Sequence, residues 1–223
     1  MASKKPKKPN RAGRPADTPD IPTAKRLEYA RNILASVKRA RTDYVGQRDS
    51  GRRLSAVRAF ITEGVSLTWT LQKLRHREAD FDEWYEPWAS ALRDDPVARF
   101  FYLSRAPVIH EGQIDLTTSM TMEKVSTDTL YRALTPLLPA GGFSIVIGDA
   151  SEGGTSYATG SDGKRLYFDM PGISSWEWIQ GTPDELRSLP LPVMMDQYVS
   201  LLERVMISAT LRFGHSHRVG VGE

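Results

Sequence analysis

The chain has 223 residues, 40% of them hydrophobic, no cysteine, and a formal net charge of +3. That length can bury a core as one domain, or as one domain with a small appendage. The lack of cysteine excludes a disulfide framework and a thiolate metal site. No stretch approaches the roughly eighteen consecutive apolar residues of a membrane-spanning helix. Met1 to Asn10 is positively charged with no apolar segment behind it, unlike a secretory signal. A cytoplasmic protein is the expectation by elimination.

The small net charge hides an asymmetry. Residues 1–77 carry nineteen Lys or Arg against six Asp or Glu, and residues 78–223 carry eleven against twenty-one. A basic first third points to a polyanion partner, with Lys38, Arg39, Arg41, Arg52 and Arg53 as the candidate nucleic-acid contacts. The alternative is attraction between the two halves within the fold or between subunits. The tail, residues 1–22, is Lys-, Arg- and Pro-rich with few apolar side chains. Burial cannot offset its ordering entropy, so disorder is expected there, and again over residues 214–223.

The apolar period predicts a first helix from Thr23 to about Val45, striped by Leu27, Ala30, Ile33, Leu34 and Val37. The polar run Gly46 to Gly51 breaks it. A second helix follows from Arg52 to about Arg75, with Leu54, Val57, Ile61, Val65 and Trp69 on one face and Leu67, Leu71 and Leu74 on another. Two apolar faces place it centrally. A third runs from Asp80 to Arg93, with Pro87 as a kink or first-turn residue. Asp95-Pro96 starts a fourth, an acceptor at the cap and proline at the first helical position. Residues 23–112 therefore read as an antiparallel helical bundle.

From residue 113 to 192 the character changes to an α/β excursion. Asp128 to Leu138 reads as a short helix ended by Pro139 and Gly141-Gly142, and Phe143 to Ile147 as a strand. Thr155–Thr159, the turn Ser161-Asp162-Gly163, and Lys164–Phe168 read as a hairpin. Trp176 and Trp178, two apart, share one face of a strand and suit a core better than a ligand platform. Met194, Tyr198, Leu201, Leu202, Val205, Met206 and Ala209 form a last helical stripe, within residues 193–213, that should pack back on the bundle. The fold class is mainly α, an antiparallel helical bundle with a small β-rich insertion before the last helix.

The segment Phe100-Phe101-Tyr102-Leu103-Ser104-Arg105-Ala106-Pro107-Val108-Ile109-His110-Glu111 carries the chemistry. Its Arg and His, five apart at a helix end after an apolar run, resemble the motif of HEPN-type domains, helical bundles of which many are RNA-cleaving toxins or defence proteins. The resemblance covers residues 24–112 and the last helix. It implies a metal-independent endoribonuclease, without cofactor, acting on RNA as a homodimer, with a protein partner or antitoxin possible. Arg105 is then the phosphate clamp and His110 the group that takes the 2′-hydroxyl proton. Ser104 and Glu111 are the supporting candidates. Ala106 departs from the family's preferred polar residue, and Pro107 fits helical geometry best if Ser104 caps a new helix. The competing expectations are an Arg105 paired with a carboxylate such as Asp95, or a non-catalytic helical module binding nucleic acid or a protein through its basic third. His215 and His217 form only a weak metal-like pair, and His76 sits at a basic helix end. Gly141-Gly142 and Gly153-Gly154 lack the Lys-Ser/Thr of a phosphate loop.

Overall fold

The computed structural model describes residues 21–110, 112, 114–122, 126–137, 143–149, 155–170 and 172–214. The fold is mainly helical, with two small antiparallel sheets before the last helix. Helices α1 (Thr23–Gly46), α2 (Ser50–Gln72), α3 (Phe81–Asp94) and α4 (Pro96–His110) come first. Strand β1 (Leu116–Met122), helix α5 (Thr127–Leu134), and strands β2 (Phe143–Asp149), β3 (Thr155–Gly160), β4 (Arg165–Phe168) and β5 (Ile173–Ile179) follow, and α6 (Leu191–Phe213) closes the order. The expected tails lie outside the described residues except for 21–22 and 214.

Helix α2 begins earlier than its glycines suggest, because the Asp49 carboxylate caps it by accepting the Arg52 amide at 2.8 Å. Only residues 47–49 separate it from α1. Its central place follows from burial on more than one face: Val57, Phe60, Ile61, Val65, Leu67 and Leu71 are inaccessible to solvent. Helix α2 packs against α1, α4 and α6, and α6 also touches α1 and α4. Phe60, Phe101 and Tyr198 interlock these helices, with Phe60 edge-on to Phe101 at 5.1 Å and Phe101 stacked on Tyr198 at 5.2 Å. The α2–α6 approach needs Gly64, where an added Cβ would stand 2.6 Å from the Tyr198 ring. Trp84 and Trp88 of α3 both donate their indole N–H to the Ser208 hydroxyl of α6, at 2.9 and 3.2 Å.

Two helices tolerate internal proline. Pro87 lies inside α3 and Pro107 inside α4, which runs unbroken to His110. Ser104 does not cap a new helix there. Its hydroxyl donates back to the Phe100 carbonyl at 2.9 Å, and α4 starts instead at Asp95, whose carboxylate accepts the Ala98 amide at 2.8 Å.

The β excursion divides in two. Strand β1, which the sequence pattern did not suggest, pairs with β5 so that Leu116 faces Ile179. Ile114, Ile179 and Leu186 then join the main helical core, while Ala158, Phe168 and Met170 form a separate small cluster under the β2–β3–β4 sheet. The β3–β4 hairpin turns at Gly163, whose φ of 74° favours glycine. On β5 the buried alternation falls on Glu177 and Ile179, leaving Trp176 exposed and Trp178 half-buried, the reverse of a tryptophan core face. The physical reason is a buried polar cluster. Glu177 is 4% exposed, and its carboxylate accepts the Tyr44 hydroxyl at 2.8 Å and the Arg53 guanidinium, tying β5 to α1 and α2.

A carboxylate in that position is stable only while its partners are present. Glu177→Ala should destabilise the protein by roughly 3–5 kcal/mol, the range for removing one member of a buried pair, as read from urea unfolding. The double change Glu177→Met with Arg53→Met should lose less than Glu177→Ala alone.

Burial first, and then the nearby Glu177 charge, push the Tyr44 phenol well above its ordinary 10.0, and burial does the same to Tyr198. Both phenols ionise near their ordinary value once unfolded, so above about pH 10 the unfolded chain releases protons that the folded one keeps. Stability should therefore fall as pH rises above about 10. In Tyr44→Phe that fall should be shallower, although its stability at neutral pH is lower.

Candidate functional site

Helix α4 presents its candidate residues in three directions. An α-helix advances about 100° and 1.5 Å per residue, so Arg105 and His110 stand about 140° apart around the axis and about 7.5 Å apart along it. Arg105 turns toward α2, where its guanidinium lies 3.8 Å from the centroid of the Trp69 ring. Ser104 and Pro107 face the β1–β5 side and line a small cleft with Ile114, Asp115, Ile179 and Gln180. His110 is exposed at the end of the helix, and Ala106 and Ile109 are exposed between it and Arg105. Glu111 lies outside the described residues, as do His215 and His217. His76 is exposed in the short 3-10 turn Lys73–His76.

The Arg105–Trp69 stack is what the sequence pattern missed. Trp69 looks like a member of the α2 core stripe, but it is 40% exposed because Thr68, Leu67 and Leu71 take the inward positions. Its face supports Arg105 instead. No carboxylate among the described residues pairs with Arg105, Asp95 being engaged at its own helix cap, and the buried Arg105 Nε has no hydrogen-bond partner there. A guanidinium seated over an indole face can keep its outer N–H groups available for a planar or tetrahedral oxyanion.

The basic residues of the first third divide. Lys38 pairs with Glu203, Arg41 with Asp196 at 2.7 Å, and Arg53 with Glu177. The first two pairs join α1 to α6, so part of the charge asymmetry is satisfied inside the fold. Arg48 similarly meets Asp169 at 2.5 Å across the gap to β4. The hydrogen bond from Arg48 holds the Asp169 carboxyl below its ordinary range. Arg39 and Arg52 are exposed, have no ion-pair partner among the described residues, and line a shallow cleft between α1 and α2 with Asp43 and Glu63.

Residues 39–133 match the family model described as bacteriophage lambda protein ea47. The match spans less than half of the chain, includes Arg105 and His110, and its description names no activity. No curated protein and no solved structure matches. Among the described residues no helix is long and apolar enough to cross a membrane.

Because the Lys38 and Arg41 pairs lie at the α1–α6 surface, their loss should be mild. Lys38→Ala and Arg41→Ala should each lower stability by less than about 1 kcal/mol, with the difference shrinking in high salt, as measured by thermal melts at two ionic strengths.

Proposed function

We propose that this chain is a metal-independent endoribonuclease that works as a pair of copies, with Arg105 holding the scissile phosphate and His110 moving the proton. The observation that carries this reading is Arg105 itself: a guanidinium laid 3.8 Å over Trp69, claimed by no carboxylate among the described residues, on the same helix as an exposed His110. The proposal takes α1 to α4 and α6 as an antiparallel bundle, for which the short link at residues 47–49 is the support.

The angular gap explains why two copies are needed. Within one copy Arg105 and His110 diverge, but the exposed Ala106 and Ile109 lie between them. A second copy seated there about an axis parallel to α4 brings its own His110 to the same side as the first copy's Arg105, still about 7.5 Å further along the helix. Neutral His110 then accepts the 2′-hydroxyl proton, and the 2′-oxygen attacks phosphorus while Arg105 stabilises the added negative charge. The bond from phosphorus to the 5′-oxygen breaks. That oxygen takes the same proton back from that His110, leaving a 2′,3′-cyclic phosphate and a 5′-hydroxyl.

The test is cleavage of end-labelled RNA with chelator present. Arg105→Ala and His110→Ala should each abolish cleavage without lowering the melting temperature, and Trp69→Ala should weaken it by loosening the clamp. Ile109→Asp should give a monomer that does not cut. Mixing the Arg105→Ala and His110→Ala proteins should restore part of the activity, because a mixed pair keeps one complete site. Cleavage that survives both substitutions, or that disappears with chelator, rules the mechanism out. RNA bound in a salt-sensitive way but left uncut favours the binding module instead, with the unpaired Arg39 and Arg52 as its contacts.

A further inference from the structure

A further cavity lies nearer the start of α4, on the same side of the helix as Ala106 and Ile109, since Arg99 and Tyr102 come about two turns before them. It has a volume of about 410 Å³ and sits where α2, α3, α4 and α6 meet, within the range of roughly 300–1,000 Å³ used by small ligands. Its walls are mostly apolar: Ala89 and Leu92 of α3 and Ala98 and Leu103 of α4, over the ring of Tyr198. The mouth is apolar as well, with Tyr102 56% and Leu103 59% exposed.

The charged groups in this cavity share one sign. Arg93 and Arg99 line it, and no Asp or Glu does. Arg99 has no carboxylate partner among the described residues, and Arg93 has only Asp94, at 3.8 Å. Inside, the Gln72 amide donates to the Tyr85 hydroxyl at 2.9 Å, so the Tyr85 proton remains to be given to something else. Burial raises the Tyr85 phenol above its ordinary value, which keeps it protonated and a donor. Two cations at the rim and a free hydroxyl proton within fit an acceptor that carries negative charge, while the walls fit an apolar body.

We propose that this cavity binds a small amphipathic acid, with its apolar ring or chain between α3 and α4 and its anionic head on Arg99 and Arg93. The inference does not depend on RNA cleavage, since none of these side chains belongs to the Arg105–His110 pair.

The probe is 8-anilinonaphthalene-1-sulfonate, compared with its uncharged relative N-phenyl-1-naphthylamine, both followed by fluorescence. The full-length protein should bind the sulfonate saturably at one site. Arg99→Ala should weaken it by about tenfold, the loss of one charge-assisted contact, while changing the uncharged probe less than about twofold. Ala89→Phe, which fills the cavity, should remove both. Should that variant not fold, Leu103→Glu at the exposed mouth keeps the core and should selectively repel the sulfonate. Sulfonate binding unchanged in Arg99→Ala overturns the proposal. So does binding lost instead in Leu211→Asp, which lies on the open face where Trp84 and Trp88 meet α6.

Discussion

The joint between the helices and the β excursion depends on one buried carboxylate. Glu177 sits on β5 with almost no access to water, and the Tyr44 hydroxyl and the Arg53 guanidinium make that position tolerable. Because Tyr44 ends α1 and Arg53 begins α2, the same carboxylate also holds the corner between those helices. Once β5 is set there, Ile179 is carried into the main core, and β1 is set by its pairing with β5. A hydrophobic residue at 177 could fill the space, but it could not pin the corner and the strand to one register as directional hydrogen bonds do.

The same economy runs through the basic first third. Three of its cations find carboxylates on α6 or β5, and the two exposed pairs, from Lys38 and Arg41, join the last helix to the first. Exposed pairs of this sort contribute little energy each, so their role lies more in alignment than in stability. Arg105 is the contrast. It lies over an aromatic face, and no carboxylate among the described residues pairs with it.

Helix α4 therefore serves several neighbours at once. Phe100 and Phe101 point into the core, Ser104 and Pro107 meet the β1–β5 pair, Arg105 lies on α2, and Ala98, Arg99 and Leu103 wall a cavity against α3. Its unbroken course through Pro107 keeps these directions in fixed relation. A break at Ser104 would have uncoupled the Arg105–His110 end from the cavity end.

The sequence by itself determined the helices and most of their inward positions, because apolar residues spaced three and four apart gather on faces that a helix must bury. The start of α4 at Asp95-Pro96, the β3–β4 hairpin and the span of α6 were legible for the same local reasons. The sequence also singles out Arg105 and His110, but not their divergence, which depends on whether α4 continues past Ser104. Other features were out of reach of spacing. Trp69 fits a core stripe, and only the packing of α2 against α4 turns it outward beneath Arg105. The tryptophans of β5 look like the buried face, yet a partner 133 residues away makes Glu177 the buried one. Pairing across such distances decides which side of a strand faces in, because a strand alternates equally well in either sense until something on one side satisfies its polar residue.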